Sequence, residues 1–240
     1  MAARAYQGEA RKKVAPKRAR VLPVLDRLAV EHADAHIALT FRNDLELVVA
    51  VMLSAQTTDV NVNRVTKTLF EKYRRPEDYL AVPVEELERD IFQTGFYRQK
   101  TKSLRGMMAL LLSDYGGEVP GTMADLLRLP GVARKTANVV MAERGDAQGI
   151  VVDTHVRRLS QRLGFTREDD PVKIERELVK LVPRERWAAF PHLLIWHGRR
   201  VCDARKPACE RCVLVDLCPS RRIDTEPWLP PVKGEETVPA

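Results

Sequence analysis

No apolar run in this sequence reaches the roughly 18 residues that a bilayer-spanning helix requires, so the chain is not expected to cross a membrane. Its start, MAARAYQGEARKKVAPKRAR, is basic but leads into no apolar stretch of signal-peptide type. A soluble, cytoplasmic protein is expected. Glycine is scarce at 12 of 240 residues, and leucine, valine, alanine, arginine and glutamate dominate, which favours helices over sheets. The longest period-2 segment is only GIVV, residues 149–152. The five histidines fall at no metal-ligand spacing, and no Ser, His and Asp constellation suggests a hydrolytic triad. Cysteine is missing from the first 201 residues, after which all four cysteines crowd into 202–218. Without an export signal, disulfides are disfavoured and a metal site remains.

Acidic residues are what the N-terminus lacks. Residues 1–20 carry Arg4, Arg11, Lys12, Lys13, Lys17, Arg18 and Arg20 against Glu9 alone, a local +6 out of the chain's +7. The other 220 residues are nearly balanced, with 33 basic and 32 acidic side chains. This arm reads as disordered, and serves equally well as a solvated tail or as a nucleic-acid contact. A flexible tail is expected over 220–240, because TEPWLPPVKGEETVPA (225–240) is proline-rich and aperiodic. Helical periodicity marks 44–56, 59–73, 84–92, 98–115, a short stretch after Thr122, 134–144, Asp153 to Gly164, 171–182 and a final helix ahead of the cysteines. DLELVVAVMLSAQ, 44–56, is apolar nearly all round, as a buried central helix is.

LPGVARKTANVV, 129–140, predicts a tight hairpin running into a helix, and VVDTH follows at 151–155. Gly131 permits positive φ and the close approach of a sugar-phosphate backbone. The amides of Gly131, Val132, Ala133 and Arg134, at a turn that opens a helix, form an anion site suited to phosphate. Lys135 falls in the first helical turn, where a cation meets the positive end of the helix dipole and Arg134 adds a like charge. That placement suits a nucleophilic amine, and it equally suits a point-charge contact to phosphate. Asp153, eighteen residues later, is either a catalytic carboxylate or the N-cap of THVRRLSQRLG. His155 is a structural histidine or a DNA contact.

The cysteines Cys202, Cys209, Cys212 and Cys218 form C-x6-C-x2-C-x5-C. Structural zinc usually offers two close pairs and here there is one, while four thiolates suit a four-iron cluster equally well. Spacing alone leaves both open. Arg205 and Lys206 lie in the loop between the first two cysteines, where a metal-organised loop would turn them outward to DNA or to solvent.

Taken together, LSAQTTD (53–59), LPGVARKTANVV, VVDTH, HGR (197–199) and the cysteine spacing closely resemble the endonuclease III branch of the helix-hairpin-helix DNA glycosylases, over roughly residues 22–219. The resemblance implies an all-α, two-domain protein with DNA in the cleft between. One is a six-helix domain over 37–148; the other is an iron-sulfur domain built from 21–36 and 149–219. By motif position Lys135 is the nucleophile and Asp153 the activating carboxylate. The four cysteines ligate a 4Fe-4S cluster with a structural, DNA-facing role. Gln56 fills the gap left by an extruded nucleotide, and Phe96 stands at the wedge position against the opposite strand. The implied activity is removal of oxidised pyrimidines from double-stranded DNA and cleavage at abasic sites, by a monomer in the bacterial cytoplasm at the nucleoid.

Two departures bear on that expectation. Ala133 stands where the family hairpin usually has a second glycine, and Phe96 replaces an aliphatic wedge. The adenine-removing branch lacks the lysine and has a catalytic glutamate at the position of Ala50. A non-catalytic DNA-binding module would use the hairpin as a clamp and leave the Lys135 and Asp153 pairing as coincidence.

Overall fold

A computed structural model of the chain describes residues 12–230, and all regular structure among them is helical. In chain order the α-helices are α1 Lys17–Glu31, α2 Asp44–Leu53, α3 Asp59–Lys72, α4 Pro76–Ala81, α5 Val84–Ile91, α6 Tyr97–Tyr115, α7 Met123–Leu126, α8 Arg134–Glu143, α9 Thr154–Arg162, α10 Pro171–Leu178 and α11 Ala189–Arg200. Two compact units result, one from Ile37–Gln148 and one from Met1–His36 with Gly149–Ala240.

In the unit Ile37–Gln148, α2 is the central helix. Its N-cap Asn43 accepts the Glu46 amide through Oδ1 at 2.9 Å, and Leu47, Val48, Val49, Ala50 and Leu53 behind it are fully buried. Each large aliphatic side chain so buried contributes about 1.5–3 kcal/mol. Glu46 is also buried, and it is neutralised by Arg42, whose Nη2 lies 2.7 Å from Oε1. Helix α2 stops at Leu53 instead of Gln56 because Gln56 adopts φ 58°, in the left-handed region. Helices α3, α6 and α8 pack on α2, while α4 and α5 pack on α6. Helix α4 escapes the periodicity reading at six residues, yet it starts as chemistry prefers. Pro76 takes the first helical position, and Asp78 Oδ2 accepts the Arg74 and Arg75 amides at 2.8 and 2.9 Å.

In the other unit, α11 packs on α1 and α9. The close α9–α11 approach depends on Gly198, where a Cβ would stand 2.7 Å from His155 Nδ1 and 2.9 Å from Arg158 Nη2. That accounts for the glycine of HGR. Gly198→Ala should therefore destabilise this unit by about 1–3 kcal/mol through overpacking, read as a lower urea midpoint. An unchanged midpoint would mean that the two helices part freely.

Both chain ends differ from the sequence expectation. Residues Lys17 to Arg20 are the first turn of α1, not part of a disordered arm. Arg20 is buried, its Nη1 donating to Leu163 O at 2.9 Å and Leu217 O at 2.7 Å. The Lys12 amide donates to Pro219 O at 2.8 Å. Residues 1–11 of the arm lie outside the described residues. At the other end Arg221 is buried, and half-buried Trp228 packs on the core with its amide donating to Asp216 O at 3.2 Å. The flexible tail expected over 220–240 is thus held as far as Trp228, and 231–240 lie outside the described residues. The indole supplies apolar area that a reading of prolines alone overlooks.

Candidate catalytic and metal sites

The hairpin forms over Leu129 to Ala133. Leu129 and Val132 are buried, and the Val132 amide donates to Leu129 O at 3.0 Å, closing the turn. Gly131 takes φ 80°, and a Cβ there would stand 2.6 Å from Met52 Cε and 2.7 Å from Ser103 Cβ. Conformation and crowding both demand glycine at this position. Ala133 needs no such freedom: at φ −87°, ψ 170° it is extended backbone open to any residue.

Ala133 is also the N-cap of α8, and it offers no capping side chain. Helices α2, α3, α7, α9 and α10 by contrast have their first amides met by Asn43, Thr58, Thr122, Asp153 and Asp170. The leading amides of α8 therefore point their dipole at an exposed turn with no side-chain acceptor from the cap, the arrangement that attracts a phosphate. Arg134 and Lys135, the first two residues of α8, are both exposed.

Asp153 belongs to the other unit, as N-cap of α9. The Val156 amide donates to its Oδ1 at 2.7 Å, so capping occupies one carboxylate oxygen. His155 is half-buried, with Nδ1 3.2 Å from Arg158 Nη2. Gln56 and Phe96 stand on exposed turns of the unit Ile37–Gln148, with φ 58° and 47°. Each non-glycine residue held there costs about 1–2 kcal/mol of backbone strain. Phe96 is 65% exposed.

The four cysteines are free thiols that line one pocket, partly open to solvent, together with Arg162, Pro207 and Val215. No three His, Cys, Asp or Glu side chains among the described residues converge as ligands of one ion. Four cysteines on one pocket supply the four thiolates that either a sulfur-bridged cluster or a zinc ion takes. Burial pushes the Cys212 thiol up to about 11 and the Cys218 thiol up to about 12, so at neutral pH both stay protonated unless a cation compensates the thiolate.

Two buried polar side chains back the pocket, and sequence reasoning assigned neither. Arg162, 4% exposed, places Nη1 3.0 Å from Cys202 Sγ and gives further hydrogen bonds to Asp203 O and Ala204 O at 2.7 and 2.8 Å. His197 Nε2 lies 3.4 Å from Cys212 Sγ, while its Nδ1 faces His32 Nε2 at 3.0 Å. Burial lowers the His197 pKa to about 4, so this imidazole is neutral. Arg205 and Lys206 are exposed, on a turn fixed by Asp203 Oδ1, which accepts their amides at 2.8 and 3.1 Å.

Residues 49–184 match the HhH-GPD superfamily of base excision DNA repair proteins, and 202–218 match the iron-sulfur binding domain of endonuclease III. The chain is 50% identical to endonuclease III of Bacillus subtilis (strain 168) over 195 residues, covering 81% of this chain and 89% of the relative. Identity to endonuclease III of Escherichia coli (strain K12) is 39% over 201 residues, 84% and 95% of the two chains. Among solved structures, a non-covalent endonuclease III–DNA complex superposes with TM-score 0.81 at 47% identity, covering 86% of this chain and 97% of that one. A trapped endonuclease III–DNA covalent intermediate gives the same values. An uncapped hairpin helix that begins with adjacent cations, a four-cysteine pocket and these similarities converge, and the chain belongs to the endonuclease III family of helix-hairpin-helix base excision repair proteins.

Proposed function

We propose that the protein is a bifunctional DNA glycosylase and abasic-site lyase that removes oxidised pyrimidines from duplex DNA, with Lys135 as nucleophile and Asp153 as its carboxylate partner. The observation that carries this reading is the exposed Lys135 amine, one residue into a helix whose leading amides have no capping side chain. A phosphate bound there sets the neighbouring sugar within reach of the amine.

A base stacked in a duplex is unreachable, so the nucleotide must first swing out, at a cost of a few kcal/mol that is least for poorly stacked lesions. Gln56 fills the vacated space and Phe96 wedges against the opposite strand. The neutral Lys135 amine then attacks the anomeric carbon, and the C–N bond to the base breaks with its electron pair going to the leaving base. Asp153 takes up the proton from the attacking nitrogen and stabilises positive charge on the sugar. The ring C–O bond then breaks, its oxygen taking the electron pair and the proton held by Asp153, which leaves an iminium between Lys135 and the sugar. This acidifies the adjacent sugar carbon, whose deprotonation expels the 3′ phosphate and cuts the strand. Gly131, Val132, Ala133, Arg134 and His155, with Arg205 and Lys206, hold the DNA backbone.

Cys202, Cys209, Cys212 and Cys218 hold a 4Fe-4S cluster, a proposal supported by four cysteines lining one pocket, by the buried Arg162 and His197 behind two of them, and by the iron-sulfur domain match over 202–218. When bound, the cluster cross-links its segment and supplies no turnover chemistry. Among the described residues no helix is long and apolar enough to cross a membrane. Duplex DNA is the partner, the active form is a monomer, and the site of action is the cytoplasm of a bacterium, at the nucleoid. The adenine-type alternative is disfavoured because this chain has Lys135 and carries Ala50 where that branch has its catalytic glutamate.

Borohydride added to the wild-type protein with a duplex containing thymine glycol should reduce the iminium to a stable cross-link of protein plus one strand. Lesion binding with neither cross-link nor nicked strand would identify a non-catalytic module instead.

A further inference from the structure

Gln56 and Phe96 are the non-glycine residues with positive φ among the described residues. Such backbone persists only where its surroundings over-determine it, and it concentrates at functional sites. Here the two turns are tied to each other. Lys100 is 7% exposed, and its Nζ donates to Leu53 O at 2.8 Å and Ala55 O at 2.9 Å on one turn, and to Thr94 O at 2.8 Å on the other. Three carbonyls match the three hydrogens of an ammonium group. A second tie lies nearer solvent, where Asn61 Nδ2 donates to Thr57 Oγ1 at 3.0 Å and to Gln93 O at 2.7 Å. Each side chain bridges the turn of Gln56 to the turn of Phe96.

We propose that Lys100, assisted by Asn61, is a positioning residue that makes the two turns a single preorganised probe, so that Gln56 and Phe96 enter the duplex as one unit. The proposal rests on the reading that those two side chains enter DNA. Its physical content is separate: without the ammonium, three carbonyls lose a shared donor and the strained backbone at both turns is free to relax. Order present before DNA arrives need not be created during extrusion.

Lys100→Met keeps the apolar stem and removes the donor. Asn61→Ala is a milder second variant at a half-buried position, so the test survives if the first fails to fold. Single-turnover base excision would be compared for one lesion paired in a duplex and unpaired in a bulge, where unpairing is already done. On the paired substrate Lys100→Met should lose about 10- to 100-fold, and on the bulge less than about threefold. Adding Gln56→Ala to Lys100→Met should cost little more, since both act through one turn. Equal losses on the two substrates, or additive losses in the double variant, would overturn the proposal. Amide hydrogen exchange on the free protein needs no activity. In both variants residues 54–57 and 93–96 should exchange faster together, and loosening confined to one of the segments also overturns it. Inactivity of the wild type on the paired lesion would count against the glycosylase reading, with the exchange pattern still deciding the coupling.

Discussion

Replacing Lys135 with glutamine is expected to abolish both the borohydride-trapped adduct and strand cleavage, while affinity for a lesion duplex changes only a few-fold. The amide nitrogen of glutamine has its lone pair delocalised and cannot attack the anomeric carbon. The hairpin proposed to bind phosphate keeps its turn, because Gly131 and the buried Leu129 and Val132 are untouched. Asp153→Asn makes the informative companion. Asparagine caps a helix as well as aspartate does, so the hydrogen bond from the Val156 amide, 2.7 Å in the wild type, has a substitute and thermal stability should hold. The rate should nevertheless fall by about 10² to 10⁴, since the amide can neither take a proton nor offset positive charge on the sugar. A variant as active as the wild type would reduce Asp153 to its capping role. A trapped adduct surviving Lys135→Gln would assign the nucleophile to another amine and end the proposed mechanism.

Cys212→Ala should have the second large effect, on folding. The segment 202–218 has only single 3₁₀ turns at Cys209–Arg211 and Val215–Leu217, and its buried apolar residues are Leu214 and Leu217. So little apolar area cannot order it unaided, and ligand binding energy there is folding energy. Loss of one ligand should cost the unit that includes α9 and α11 more than about 4 kcal/mol, in the range reserved for lost metal sites. The wild-type protein should be brown, with about four irons per chain and broad visible absorbance, and the variant should be colourless with an early unfolding transition. A colourless wild type with one tightly held zinc would refute the cluster.

What could be read from sequence follows from how local each signal is. Helix α8 and its hairpin were legible because a turn glycine, two apolar anchors and a following periodicity all lie within twelve residues. Asp153 was legible as a cap for the same reason. The first turn of α1 was hidden by the basic residues that made Lys17 to Arg20 resemble part of a tail. Arg20 looks like any surface arginine until Leu163 and Leu217 bring their carbonyls to it. Arg162 and His197 serve the cysteine pocket through contacts distant in sequence, and spacing cannot register those. Lys100 did leave a trace: with Leu104, Met107, Met108 and Leu111 it occupies the buried face of α6, where a lysine is out of pattern. A charge on an apolar stripe signals carbonyls waiting beneath it.

The stitching of α1 to the cysteine segment also governs when this chain can finish folding. Arg20 meets Leu217 across 197 residues, and Arg27 pairs with Asp216 at 2.6 Å. At ribosomal rates of about 5–20 residues per second, α1 waits roughly 10–40 s for those partners to be synthesised. The unit Ile37–Gln148 is continuous in sequence and has all its own parts long before that. A prematurely terminated chain would therefore present a formed hairpin unit beside an orphaned amphipathic helix, whose bare apolar face is what chaperones and proteases recognise.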